Sequence, residues 1–196
     1  MNQINYFISF LFRHITYIMF CGDIIADCSN MYEILSNLKL RSGTQRKQLC
    51  KEGASVLYGT TWRGFLAYRD GKKIMRKQLP NGRYETTLRT EYPELLDVFK
   101  EFGKYHFPDF EFNEIMINRN YPVKKHKDNA NVGESVLITF GHYEGGKTRV
   151  YYDDGQTKFI KDFDSWCNPV RFNGSKYYHE VLPFTGERYA LVFFNI

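Results

Sequence analysis

The spacing of apolar side chains divides the chain into a front part with short helices and a back part of short strands. Ile34, Leu35 and Leu38 recur at helical intervals and predict a helix over residues 31–40, capped by Ser29 or Asn30. Leu95, Leu96, Phe99 and Phe102 form a second helical stripe, with Thr90 as its cap and Pro93 in its first turn. Between them, residues 56–58 and 63–69 read as strands, and Asp70-Gly71 is a strong hairpin turn leading into residues 72–78. Asn81-Gly82 marks a second turn. After Pro108 strands are expected at residues 110–118, 135–141, 148–152, 157–160, 169–172, 177–181 and 188–195. Many short strands separated by glycine turns predict a sandwich or barrel. The expected class is mainly β with flanking helices (α+β).

Composition agrees with this pattern. Aromatic residues reach 17%, which favours strands because flat rings pack well on a pleated surface. A chain of 196 residues can bury one sizeable core, and we expect a single domain over residues 31–196. Within it, residues 31–109 form a helical and basic part and residues 110–196 the strand core. Residues 1–30 read as a leader or packing segment. Their apolar run over residues 6–21 is broken by Arg13 and His14, short of the ~18–20 residues that span a bilayer. No positive start precedes Tyr6, so neither a secretory signal nor stable membrane association is expected. Cys21, Cys28, Cys50 and Cys167 include no C-x-x-C pair, which argues against a zinc ribbon and for a reducing, intracellular setting in cytoplasm or nucleus.

Charge is uneven. Residues 41–90 carry 12 Lys+Arg against 3 Asp+Glu, while the whole chain is only +5. Arg41, Arg46, Lys47, Lys51, Lys72, Lys73, Arg76 and Lys77 alternate there with Tyr58, Trp62 and Tyr68. Such a segment either solvates a face or meets an anionic partner. Lysines neutralise phosphates and aromatic faces stack bases, so nucleic acid is the candidate partner, with Arg63, Lys124, Lys125 and Lys127 adding to the field.

The candidate chemistry lies in the strand region. In His126-Lys127-Asp128 the imidazole and the carboxylate sit at i and i+2, on one face of a strand. His179, 53 residues further on, supplies a second imidazole from another expected strand. Two histidines and one carboxylate make a facial triad suited to non-haem Fe(II), with open coordination positions. Arg188 follows nine residues after His179. A hairpin centred on Phe184-Thr185 would set the two on one face as diagonal neighbours, ~7–8 Å apart. Arginine is the side chain best shaped to grip a carboxylate. His14, His106 and His142 lack a matching pattern and read as structural or exposed.

These residues resemble the signature of Fe(II)/2-oxoglutarate-dependent dioxygenases. Phe172-Asn173-Gly174, His179, Pro183-Phe184 and Gly186-Glu187-Arg188-Tyr189 carry the likeness, with Gly145-Gly146 and the loop 129–135. Over about residues 113–196 the pattern is most similar to the TET/base-J-binding-protein branch, which oxidises the 5-methyl group of pyrimidines in nucleic acid. The resemblance implies a double-stranded β-helix (jelly roll, cupin-like) with His126, Asp128 and His179 on Fe(II). It also implies 2-oxoglutarate and O2 as cosubstrates, with Arg188 on the distal carboxylate. Asn118 and Tyr121 resemble positions that touch the cosubstrate in the related AlkB group, and Thr139 and Tyr143 are placed to line the mouth. DNA or RNA is then the expected substrate, through thymine or 5-methylcytosine. The nine-residue interval from His179 to Arg188 is closer to that of prolyl hydroxylases, so prolyl or other protein hydroxylation stands as an alternative. A catalytically inactive jelly-roll binding module is the other.

Overall fold

The computed structural model describes residues 20–41, 53–62, 64, 66–69 and 72–196. The apolar run up to residue 19, His14, Arg46, Lys47, Cys50, Lys51, Arg63 and the Asp70-Gly71 turn lie outside the described residues, as do the side chains of Tyr68 and Lys72.

Two antiparallel sheets face each other. The larger takes strands in the order β1 (Ala54–Tyr58), β6 (Glu114–Arg119), β12 (Phe184–Phe194), β7 (Ser135–Gly145) and β10 (Val170–Phe172). The smaller is β11 (Tyr178–Val181), β8 (Thr148–Asp153) and β9 (Lys158–Phe163). An antiparallel bridge between His126 and His179 adds residues 123–126 beside β11 as its outer edge. From β7 onward the chain passes back and forth between the sheets, which is the path of a double-stranded β-helix. Two further hairpin-sized sheets, β2 (Thr60–Thr61) with β5 (Tyr84–Glu85) and β3 (Leu66–Arg69) with β4 (Lys72–Met75), precede this core.

Alternation along the large sheet divides it into two faces. Ile115, Ile117, Val136, Ile138, Phe140, Tyr189, Leu191 and Phe193 point outward, under the helices. There they meet Met31, Ile34 and Leu35 of α1 (Ile24–Ser36) and Leu95, Phe99 and Phe102 of α3 (Leu95–His106). Leu137, Val170, Phe172 and Ala190 point inward and pack with Val150 of the small sheet. His106 Nε2 lies 2.8 Å from Asp27 Oδ2, a buried pair that ties α3 to α1, so this histidine is structural.

Three sequence expectations need correction. The first helix covers residues 24–36, not 31–40: Asp23 Oδ1 accepts from Ile25 N and Ala26 N and caps it. Asn37 then ends it, so Leu38 and Leu40 are buried from an irregular segment. Thr90 caps nothing; its hydroxyl donates to Thr86 O inside a short helix α2 (Thr87–Glu91), and Pro93, which has no N–H, separates this from α3. The third correction concerns the site. Residues 183–187 are not a hairpin turn: β12 begins at Phe184 and pairs with β7, placing Arg188 opposite Gly141. The chain crosses between sheets at Leu182-Pro183, where Leu182 N donates to Lys147 O and Pro183 O accepts from Gly146 N. Crossing sets the inner faces of β11 and β12 against each other and removes both from water, which a flat hairpin cannot do.

Candidate active site

A cavity of about 530 Å³ lies between the sheets. Met116, Asn118, Arg188, Ala190 and Val192 line it from the large sheet, and Thr148, His179 and Val181 from the small one. The segment Tyr121 to His126 walls its open side. His179 and Arg188, expected as neighbours on one hairpin, reach this cavity from opposite sheets.

His126, Asp128 and His179 converge at one end. Their ligand atoms all lie within 4.8 Å of one another. His126 Nε2 is 3.3 Å from Asp128 Oδ1, and His179 Nε2 is 3.4 Å from Asp128 Oδ2. Backbone carbonyls hold the other ring nitrogens: Lys124 O lies 2.8 Å from His126 Nδ1, and Tyr177 O 3.2 Å from His179 Nδ1. A carbonyl only accepts, so each Nδ1 is the donor, which leaves each Nε2 facing the carboxylate as the atom that a metal ion would take. Phe172 packs edge-on against His179 at 5.0 Å and limits its rotation.

The charges respond to one another. Hydrogen bonding to Asp128 raises the His126 imidazole above its ordinary value, against the opposite pull of burial. Burial alone would raise the Asp128 carboxyl, but hydrogen bonds from His126 and His179 outweigh it and hold that group well below the usual carboxylate range. Two Nε2 atoms and one carboxylate fit a first-row transition ion, and three ligands on one side leave its other positions open.

Neighbours fix the carboxylate. Asp128 N donates to Gly174 O at 3.0 Å, and Asn131 Nδ2 donates to Asp128 Oδ2 at 3.4 Å. A Cβ on Gly174 would stand 2.9 Å from Asp128 Oδ2 and 3.3 Å from His179 Cε1. Gly174→Ala is therefore expected to lower divalent-metal affinity about 10- to 100-fold, the range seen when groups that orient a ligand are disturbed. Mn(II) titration of the purified protein checks this, and an unchanged affinity would mean that the loop yields at no cost.

At the other end Arg188 is 2% exposed, and its Nε and Nη2 have no hydrogen-bond partner. Its guanidinium lies against the rings of Tyr143 and Phe184, 5.5 Å from each centroid. Burial lowers its pKa, because a charge out of water is disfavoured unless a partner faces it. Gly146, at φ +67, makes room for it: a Cβ there would lie 3.0 Å from Arg188 Nε. Asn118 Oδ1 and Thr148 Oγ1, both on the cavity wall, are also buried without partners. Orphaned polar atoms around one buried cation call for an anionic ligand with acceptor and donor groups.

Other expected positions separate. Tyr121 lines the cavity, and the exposed Lys124 and Lys125 stand at its rim. Thr139 and Tyr143 do not line it. They lie behind Arg188, hydroxyl to hydroxyl at 2.6 Å. Tyr58 does not stack on any ligand: it is buried in the core, and its hydroxyl donates to Tyr92 O and Pro93 O. Trp62 is exposed beside Arg83, at 5.0 Å. Arg41 and Lys73 are exposed away from the cavity. Sequence reasoning missed the roles of Gly174, Asn131 and Thr148. A strand pattern with Thr148 two residues after Gly146 held the only signal for the last of these.

No protein-family model matches this sequence, and no curated protein matches it. Solved structures do resemble it. One is a 2OG-Fe(II) oxygenase family oxidoreductase from Burkholderia pseudomallei, 18% identical over 85% of this chain and 76% of that one, at a TM-score of 0.49. A Pseudomonas putida prolyl-4-hydroxylase is 15% identical over 90% and 88%, at 0.45. NgTET1 in complex with 5mC DNA is 16% identical over 86% and 67%, at 0.46. Strand order and ligand geometry, rather than these distant likenesses, carry the assignment of fold and site.

Proposed function

We propose that this chain is an Fe(II)- and 2-oxoglutarate-dependent dioxygenase that hydroxylates the 5-methyl group of a pyrimidine base, thymine or 5-methylcytosine, in DNA or RNA. One observation carries the enzymatic part: a 2-His-1-carboxylate set and a buried arginine with Nε and Nη2 unpartnered share a single cavity. Iron held by His126, Asp128 and His179 supplies the oxidising chemistry, with O2 and 2-oxoglutarate as cosubstrates.

The protein's own residues bind, orient and exclude water. Arg188 offers parallel N–H donors to the distal carboxylate of 2-oxoglutarate, and Thr148 and Asn118 offer further polar contacts along the wall. Leu137, Phe172 and Val192 keep the space between these ends apolar. Lys124 and Lys125 at the rim support an anionic substrate. The resemblance of residues 113–196 to the TET/base-J-binding-protein branch supports oxidation of a base. A base within a duplex must leave the stack to reach the cavity. An intracellular, reducing setting suits ferrous iron, and Cys21, Cys28 and Cys167 are free thiols. Among the described residues no helix is long and apolar enough to cross a membrane.

Incubation with Fe(II), ascorbate and 2-oxoglutarate should release succinate, and mass spectrometry of nucleosides from methylated DNA and RNA should find the oxidised base. Succinate that rises with a proline-rich peptide and not with nucleic acid would replace the base by protein. No succinate at all would leave a binding module.

A further inference from the structure

We propose that the outer face of the small sheet is a docking surface for single-stranded nucleic acid, from which the strand passes over the edge at residues 123–126 into the cavity. This rests on the reading of the cavity as a base oxygenase site and adds where its polymer lies.

The helices pack on the large sheet, whereas the small sheet leaves large side chains in water. The register puts Tyr178 opposite Tyr151 and Tyr151 opposite Ile160, one row on the face away from His179. Tyr178 is 49% exposed and Ile160 58%. The edge segment adds cations to this row. Alternation that directs His126 and Asp128 inward directs Lys125 and Lys127 outward. Lys125 Nζ lies 3.5 Å from the Tyr151 ring centroid and 5.7 Å from that of Tyr178, and Lys127 Nζ lies 4.7 Å from that of Tyr178.

The charges on this face select a polyanion. Arg149 and Asp162 satisfy each other through two hydrogen bonds, and Glu180 accepts from the Tyr151 hydroxyl. Lys125 and Lys127 rest on rings and form no ion pair with a carboxylate among the described residues. A phosphate can therefore take either ammonium without breaking an ion pair, and each departure uncovers an aromatic face on which a base can stack. An acidic peptide would use the cations and leave the rings unused. Lys125 also belongs to the cavity lining, so the outer row meets the rim at this residue.

The test uses the metal-free full chain and a short fluorescein-labelled single-stranded oligonucleotide, followed by anisotropy over a salt series. Wild type should bind, and Tyr178→Ala should weaken binding about 10-fold or more, the loss typical of one base–aromatic stack. Tyr178→Phe, which keeps the ring, should bind like wild type. Lys127→Ala should reduce the slope of log K against log salt by about 0.7. Failure of wild type to bind, equal binding by Tyr178→Ala and Tyr178→Phe, or displacement by polyglutamate as effective as by unlabelled oligonucleotide would overturn the proposal. Succinate release by wild type is measured separately. Binding with these variant effects but no succinate would retain the docking surface and end the oxygenase reading, and the reverse result would do the opposite.

Discussion

Replacing Asp128 with alanine is expected to lower Fe(II) affinity by more than about 100-fold and to reduce succinate release to background. The loss should exceed that of an orienting neighbour such as Gly174, because it removes the one anionic ligand rather than tilting it. Two imidazoles would remain, with nothing between them to balance a divalent charge. The metal-free variant should also show a second effect. Hydrogen bonding to Asp128 holds the His126 imidazole above its ordinary pKa, so the ring should titrate lower once the carboxylate is gone. Anaerobic iron titration and NMR of the histidine ring protons read the two effects separately. Iron binding equal to that of wild type would end the metal-centre reading.

Arg188→Met should divide function from stability. Truncating one partner of a buried charge pair costs about 2–5 kcal/mol of binding. At about 1.4 kcal/mol per tenfold, the 2-oxoglutarate requirement should rise roughly 30-fold or more. Fe(II) affinity should change little, since Arg188 stands at the far end of the cavity from the three ligands. The ligand-free variant should melt higher than wild type. Arg188 is 2% exposed with Nε and Nη2 unpartnered, a charge whose burial should cost stability when no anion faces it, and methionine replaces it with a flexible apolar chain. For a chain of this size, each 1 kcal/mol should raise Tm by about 2–4 °C. Arg188→Lys should not restore binding of 2-oxoglutarate, because a point charge lacks the parallel donors of the fork. A lower melting temperature together with normal use of 2-oxoglutarate would show that Arg188 is structural.

Much of the candidate site could be read before any fold was known, and the reasons are local. His126 and Asp128 are two residues apart in extended chain, so their side chains share a face whatever surrounds them. Leu95, Phe99 and Phe102 repeat at helical spacing and are buried on one side of their helix, because that period depends on backbone geometry alone. Asn81-Gly82 turns the chain for the same kind of reason: Gly82 takes φ 79, which costs glycine little.

Tertiary structure decided everything that depends on which strand lies beside or across from which. A hairpin and a crossing look alike in residues 183–187, and only the burial of two inner faces selects the crossing that sets His179 and Arg188 on opposite walls. Tyr58 reads as a stacking platform among basic residues, yet packing against Phe99 makes it core. Gly174 carries no side chain to announce a role, and its importance lies in the atoms of Asp128 and His179 that a methyl group would meet. Periodicity and residue chemistry act over a few positions of one chain segment. Register, crossing and close approach are set by contacts between distant segments, where the gain from removing apolar surface from water outweighs local preference.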